Sequence, residues 1–291
     1  MKFALFQCCV GAMGPGQYTM STQAVLNTLG IEFRTLKEFN CCGYPLRNFH
    51  LKAYLLASAR NLAVAEKQAL DLVTMCNCCF GTLKLAEHFM KKDEALKDEI
   101  NATLGKEGLH YEGGTSPKHV LEVLHGDIGM ERLRANLRKT FKGLKIAVHY
   151  GCHILRPSEI MQFDHPFTPT KFDDLVGITG ADSVPWSTKL DCCGSALMGV
   201  NNDLSMDLTE KKLRKAKEAG ADYLCVSCPY CFTQFDRVQN MILSKRGTEV
   251  LLAPILYTQL LGLCLGIKPQ DLRLEMNTLP VTGIQRFLSE D

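Results

Sequence analysis

Fourteen cysteines are the chemical feature of this chain, and their spacing is ordered. Cys9 stands alone, Cys41-Cys42-Gly43 follows, and Cys76-Asn77-Cys78-Cys79 comes next. The pattern then recurs as Cys152, Cys192-Cys193-Gly194 and Cys228-Pro229-Tyr230-Cys231. Thirty-one residues separate Cys9 from Cys41 and 39 separate Cys152 from Cys192, while the gaps to the next motif are 33 and 34. Soft thiolates in such numbers select iron–sulfur clusters, zinc or cuprous copper. Zinc would take a C-x2-C pair plus two more cysteines, leaving a fifth thiol idle in each set. Adjacent residues in extended chain point to opposite sides, so a Cys-Cys pair serves a large multi-iron object more readily than one small ion. Disulfides are the remaining reading, and a reducing compartment disfavours them.

The elements that must position these thiols are themselves duplicated. Lys2–Cys9 lies over Lys145–Cys152 with lysine, alanine and cysteine in register, so the chain divides into 1–144 and 145–291. In the first half, Lys2–Gln7, Ile31–Leu36, Asp71–Met75 and Leu109–Tyr111 read as strands. A helix over His50–Leu70 carries Leu51, Leu55, Ala59 and Leu62 on one face. Further helices are expected to open at Cys79–Phe80 and after Pro117. In the second half the strands are Ala181–Val184, Asp222–Val226 and Val250–Leu252, with helices over Asp203–Ala219 and after Pro254. About fifteen extra residues within Lys84–Glu107 read as a solvated helical insertion. Alternation of this kind predicts an α/β fold, an internal duplication of two cysteine-rich domains, each a small, largely parallel sheet with flanking helices. Every motif then falls at the carboxyl end of a strand or in the following loop, where open α/β sheets place their sites.

Composition sets outer bounds. Hydrophobic residues make up 46% and charged residues 22% of 291, and the formal net charge is +2. No global basic field advertises nucleic acid. The apolar stretch 250–267 is interrupted by Pro254, Thr258 and Gln259 and reads as a buried strand and helix, with no membrane span expected. An N-terminus without a long apolar h-region, together with the many thiols, places the protein in the cytoplasm as an expectation.

The pattern C-x31-CCG-x32-CxxC, repeated as C-x39-CCG-x33-CxxC, resembles the twin cysteine-rich CCG domains of the heterodisulfide reductase B subunit from methanogens. That resemblance implies two noncubane [4Fe–4S] clusters, one on Cys9, Cys41, Cys42, Cys76 and Cys79, the other on Cys152, Cys192, Cys193, Cys228 and Cys231. It implies reduction of the coenzyme M–coenzyme B heterodisulfide (CoM-S-S-CoB) to its two thiols in methanogenesis, each cluster giving one electron. Implied partners are the ferredoxin-like C subunit and the flavin-containing A subunit of heterodisulfide reductase, with a hydrogenase or formate dehydrogenase. The chain has no C-x2-C-x2-C-x3-C-P run and no G-x-G-x-x-G loop, so electrons are expected from outside. CCG domains also occur in thiol:fumarate reductases and in glycolate or lactate oxidation, so the alternative is an electron-transfer component of such an enzyme. A zinc-binding scaffold is the non-enzyme alternative.

Four cysteines are left over. Cys8 aligns with Gly151 and reads as a non-ligand. Cys78 aligns with Tyr230 and stands as an alternative to Cys76 or Cys79. Cys225 and Cys264 read as small buried hydrophobes. His149, His153 and Arg156 flank Cys152, and His153 and Arg156 are the substrate candidates, weighed against core and surface roles. Arg47, Lys171 and Lys189 are further cations near the motifs, suited to the anionic groups that the resemblance implies. Trp186 reads as packing. The basic runs Arg132–Lys145 and Lys211–Lys217 read as solvated faces, with a docking surface as the second reading.

Overall fold

The computed structural model describes residues 2–9, 16–248 and 252–290. Strands β1 (Lys2–Phe6), β2 (Glu32–Arg34), β3 (Asp71–Thr74) and β4 (Pro117–His119) form a parallel sheet in the order β2-β1-β3-β4. Strand β5 (Lys139–Phe141) stands apart. β6 (Lys145–His149), β7 (Asp182–Ser183), β8 (Tyr223–Val226) and β9 (Pro254–Leu256) form a second parallel sheet in the order β7-β6-β8-β9. β10 (Leu288–Glu290) pairs antiparallel with β5, so the C-terminal strand returns to the junction of the halves. The central strands are short apolar runs: Phe3–Phe6 and Ile146–His149 are buried throughout. That is the pattern of strands covered on both faces.

The helices repeat as faithfully. α1 (Gln17–Thr28) precedes β2, and α2 (Leu51–Lys67) precedes β3. α3 (Asn77–Lys92) opens beside the C-x2-C motif, and α4 (Glu94–Leu104) is the helical insertion, started by Asp93 accepting from the Leu96 amide. In the second half α5 (Asn202–Glu218) matches α2: both have 17 residues, and each is capped by a side chain, His50 or Asn201, accepting a backbone N–H three residues on. α6 (Tyr257–Cys264) follows β9 and packs on α1 across the junction, with Ser21 Oγ 2.7 Å from Thr258 Oγ1. No helix of the described residues is long and apolar enough to cross a membrane.

Several boundaries differ from expectation. Leu109–Tyr111 is a loop, held by Asn101, which bonds both the amide and the carbonyl of Tyr111. The fourth strand is instead Pro117–His119, and its helix begins at Val120. Val250 and Leu251 lie outside the described residues; Leu252 is not in a strand, and the corresponding strand is Pro254–Leu256. Both prolines therefore open edge strands, where a missing N–H costs no ladder bond, and do not start helices. α3 begins at Asn77, ahead of the expected Cys79.

Both CCG turns need their glycine. Gly43 and Gly194 have φ of 90° and 92°, and a Cβ would lie 2.9 Å from the Tyr54 carbonyl oxygen or 2.6 Å from that of Ser205. Gly194→Ala is therefore expected to cost clearly more stability than Gly220→Ala, whose φ of 82° is similar but whose surroundings are open. Conformation alone accounts for about 1–3 kcal/mol, and the contact with α5 adds to it. Thermal unfolding of the two variants checks this; equal losses would mean the turn has room to spare.

Candidate metal centre

In each half the strand order reverses beside the first strand, opening a crevice at the carboxyl ends of β1 and β3, and of β6 and β8. The chain leaves β1 into Cys8-Cys9 and β3 into Cys76, and it leaves β6 towards Cys152 and β8 towards Cys228. Cys76 and Cys228 are the N-caps of the helices that follow, which places a thiol at the positive end of a peptide-dipole array. The vicinal pairs are moored from behind. Ser58 Oγ donates to the Cys42 carbonyl at 2.6 Å, and Thr209 Oγ1 donates to that of Cys193 at 3.0 Å, from equivalent positions on α2 and α5.

The two sets meet. Cys76 Sγ lies 3.8 Å from Cys228 Sγ, and Cys78 is grouped with both, all within 4.8 Å of one another. Within the second set, Cys193 Sγ is 3.5 Å from Cys231 Sγ and the Gly194 amide donates to Cys192 Sγ at 3.4 Å. Cys8 lies with Cys76 and Cys79, so the structure brings it into the group that the repeat alignment had left it out of. Cys78 also reaches across the junction, 3.2 Å from His153 Nδ1. Cys225 and Cys264 are buried apart from these sulfurs; Cys264 faces the Thr179 carbonyl at 3.6 Å. Cys9, Cys41 and Cys192 are exposed, so the centre opens to the surface.

The thiols share protons. Hydrogen bonds from Cys152 and Cys193 hold Cys192 down to about 2, and Cys193, facing that charge, is pushed up to about 12. Cys41 and Cys79 likewise hold Cys42 well below the usual thiol range, while Cys41 itself is raised by its neighbour. At the junction, burial and Cys228 push Cys76 up, but Cys78, Cys79 and Cys8 outweigh them and leave it at about 7. Such a set gives up its remaining protons to a soft cation. A closed zinc site needs four sulfurs about 3.8 Å apart, from Zn–S bonds of about 2.3 Å. The described residues bring no more than three ligand atoms within 4.8 Å of one another, a spread that suits a larger inorganic core.

A cleft of about 550 Å³ leads to this centre. Arg47 and Arg156 line it together with Leu51, Leu85 and Phe89, and it ends on Cys152 and His153. The same cysteine and histidine line a small inner cavity of about 20 Å³ with Tyr44, Tyr230 and Cys78. Neither arginine forms an ion pair among the described residues; Arg47 sits over the Tyr44 ring and Arg156 donates to the Leu190 carbonyl. Burial lowers the His153 pKa and Arg47 adds to that. Lys171 and Lys189 are engaged elsewhere, on the Phe163 carbonyl and Asp173. Trp186 Nε1 donates to the Val148 carbonyl, as a packing role requires.

Known proteins share this architecture. The cysteine-rich CCG domain model matches twice, at residues 3–84 and 146–236. The chain is 34% identical to the B subunit of the ferredoxin/F(420)H(2)-dependent CoB-CoM heterodisulfide reductase of Methanosarcina acetivorans, over 96% of this chain and 94% of that one. It belongs to the family of heterodisulfide reductase B subunits. The 8-methylmenaquinol:fumarate reductase membrane anchor subunit of Wolinella succinogenes is also similar, 33% identical over 97% of this chain and 99% of its own length. A crystal structure of a hypothetical Helicobacter pylori protein shares the fold, with a TM-score of 0.78 at 20% identity. The match covers 97% of this chain and 52% of that one. Membership makes this an oxidoreductase subunit of iron–sulfur type that works within a complex.

Some residues of the centre escaped the sequence reading. Tyr18, from α1, places its hydroxyl against the Met75 and Ser227 carbonyls, each one residue before a junction cysteine. Asn77 donates to the Tyr150 carbonyl at 2.6 Å and accepts from Ser227 Oγ at 3.3 Å. Lys212, read as part of a solvated basic run, is buried at 2% exposure. The signal for Lys212 was its helical phase beside Leu213 and Ala216; Tyr18 offers none, because it belongs to no repeat.

Proposed function

We propose that the chain is the disulfide-cleaving subunit of a heterodisulfide reductase, acting on the coenzyme M–coenzyme B heterodisulfide. The observation that carries this reading is the 3.8 Å approach of Cys76 to Cys228, which makes two five-cysteine sets into one two-part centre. Cys9, Cys41, Cys42, Cys76 and Cys79 would hold one noncubane [4Fe–4S] cluster, and Cys152, Cys192, Cys193, Cys228 and Cys231 the other. When bound, such clusters supply electrons one at a time, and cleavage of a disulfide to two thiols consumes two electrons and two protons. The electrons come from a ferredoxin-like C subunit and a flavin-containing A subunit, fed by a hydrogenase or formate dehydrogenase.

The chain's own residues bind and orient the substrate. Arg47 and Arg156, which form no ion pair among the described residues, take the anionic end of the disulfide, and Leu51, Leu85 and Phe89 cover its apolar arm. His153 stands where the cleft meets the thiols and positions Cys78 through its Nδ1. Water entering by the same cleft supplies the two protons.

A second reading, electron transfer without disulfide chemistry, is favoured by the near full-length likeness to the fumarate reductase subunit. Turnover of the heterodisulfide by the iron-loaded chain with its partner subunits decides between them. The proposal predicts release of both thiols. It also predicts that Arg156→Ala raises KM about tenfold or more, the loss of one charge-assisted hydrogen bond, with iron content unchanged. Iron-loaded protein that passes electrons and releases no thiol would favour the second reading.

A further inference from the structure

The two halves are copies in backbone and unlike in charge. With the CCG motifs and the two 17-residue helices aligned, Ser58 corresponds to Thr209, and both bond the second cysteine's carbonyl. Three positions further along the same helices, Asn61 corresponds to Lys212. Asn61 is neutral and uses its amide on the Cys41 and Ala57 carbonyls. Lys212 is the one buried lysine or arginine among the described residues. Its Nζ donates to the Thr188 carbonyl and lies 4.6 Å from the centre of the Trp186 ring. It forms no ion pair with a carboxylate among the described residues, and it lies one turn along α5 from Thr209, whose hydroxyl holds the Cys193 carbonyl. Asp191 and the sulfurs of Cys193, Cys231 and Cys192 are the groups whose negative charge acts to hold its proton. A second difference lies on the central strands, where Phe6 of the first half corresponds to His149. Among the described residues neither buried ring nitrogen of His149 meets a hydrogen-bond partner, and one of them lies within 4.8 Å of the Cys193 and Cys231 sulfurs.

A buried ammonium without a counter-ion is costly unless an anion is placed to meet it. Thiolates of the second set provide part of that anion, and a cluster held on them would provide more of it on taking up an electron. We infer that Lys212 is a tuning residue that raises the reduction potential of the second-half cluster above that of the first, so that the first electron to enter the pair settles in the second half. The inference rests on the reading that both halves hold iron–sulfur clusters. Its chemistry is one electron added to one cluster by an external reductant, with no bond made or broken. In the low-dielectric interior a fixed positive charge stabilises the reduced, more negative state, and the neutral Asn61 gives the first half no equivalent.

The test uses the purified, iron-loaded chain, with Lys212→Met removing the charge while keeping the apolar stem, and Lys212→Arg keeping the charge. Iron and acid-labile sulfide are counted first, and a titration with reductant followed by electron paramagnetic resonance then gives the potential of each cluster. The unaltered chain should show two separate one-electron waves. In Lys212→Met only the higher wave should fall, by the equivalent of at least about a tenfold change in how an electron divides between the clusters, roughly 59 mV for a one-electron couple. Lys212→Arg should restore the separation. If Lys212→Met fails to hold the second cluster, Lys212→Gln, neutral like Asn61, is titrated in its place and should show the same fall in the higher wave. Full iron in Lys212→Met with unmoved potentials, movement of the lower wave, or equal damage by both variants would overturn the inference. An unaltered chain that holds zinc and no sulfide defeats the cluster reading itself, and the iron count separates that result from the others.

Discussion

Cys42→Ser and Cys193→Ser are each expected to leave heterodisulfide reduction several orders of magnitude below that of the unaltered chain. Two independent sites would leave each variant about half its activity, because half the sites survive. The geometry argues against independence. Cys76 and Cys228 are 3.8 Å apart, Cys78 lies with both, and Cys78 contacts His153 of the other half. One disulfide yields two sulfur fragments, and the two cysteine sets are the repeated chemical feature available to receive them. Residues that act as a unit lose nearly everything when any member is removed. Cys42 and Cys193 are equivalent, each buried and each anchored through its carbonyl to the following helix. The measurement is thiol release with the partner subunits present. Half-activity in either variant would dismiss the shared centre while leaving iron binding intact.

The second large effect is on iron itself. Cys193→Ser should lose about half of the bound iron, one of two four-iron clusters, whereas Cys264→Ser should lose none. Both thiols are buried, so exposure does not separate them. Their neighbours do: Cys193 Sγ faces Cys231 Sγ at 3.5 Å, while Cys264 sits on α6 against the Thr179 carbonyl. Serine in place of Cys193 keeps the size and removes the soft donor that iron requires. Iron measured on the two purified variants checks the contrast, and equal loss in both, or in neither, would mean that the ligand set is wrong.

Much of the fold was legible because it is written twice. The lysine-led strands, the helix His50–Leu70 and the CCG turns agree between halves, and periodicity placed them within a few residues. Where two copies shared one misleading signal, the duplication gave no protection. Helices were expected after Pro117 and after Pro254 and do follow, at Val120 and Tyr257, but in both copies the proline first opens a three-residue edge strand that was not foreseen there. The helix α1 went unnoticed because its inward face is mixed: Ser21 and Thr22, satisfied by Tyr18 and Thr258, interrupt the buried Tyr18, Val25 and Leu26 and break the apolar stripe. Reading the site through the repeat also set Cys8 aside and kept Cys78 only as an alternative. Cys8 and Cys78 have no cysteine counterpart, yet both sit among the sulfurs, since a loop that turns at a strand end can bring successive side chains to one crevice. Lys212 was hidden by its basic neighbours. Its helical phase beside Leu213 and Ala216 was the one sign that this lysine of the run faces inwards.

The central claim is that both cysteine sets hold iron–sulfur clusters. Anaerobic determination of iron, zinc and acid-labile sulfide on the purified chain tests it most directly. Two [4Fe–4S] clusters predict about eight irons and about eight sulfides per chain. Zinc at one or two per chain with no labile sulfide would contradict the account and make the protein a thiolate scaffold.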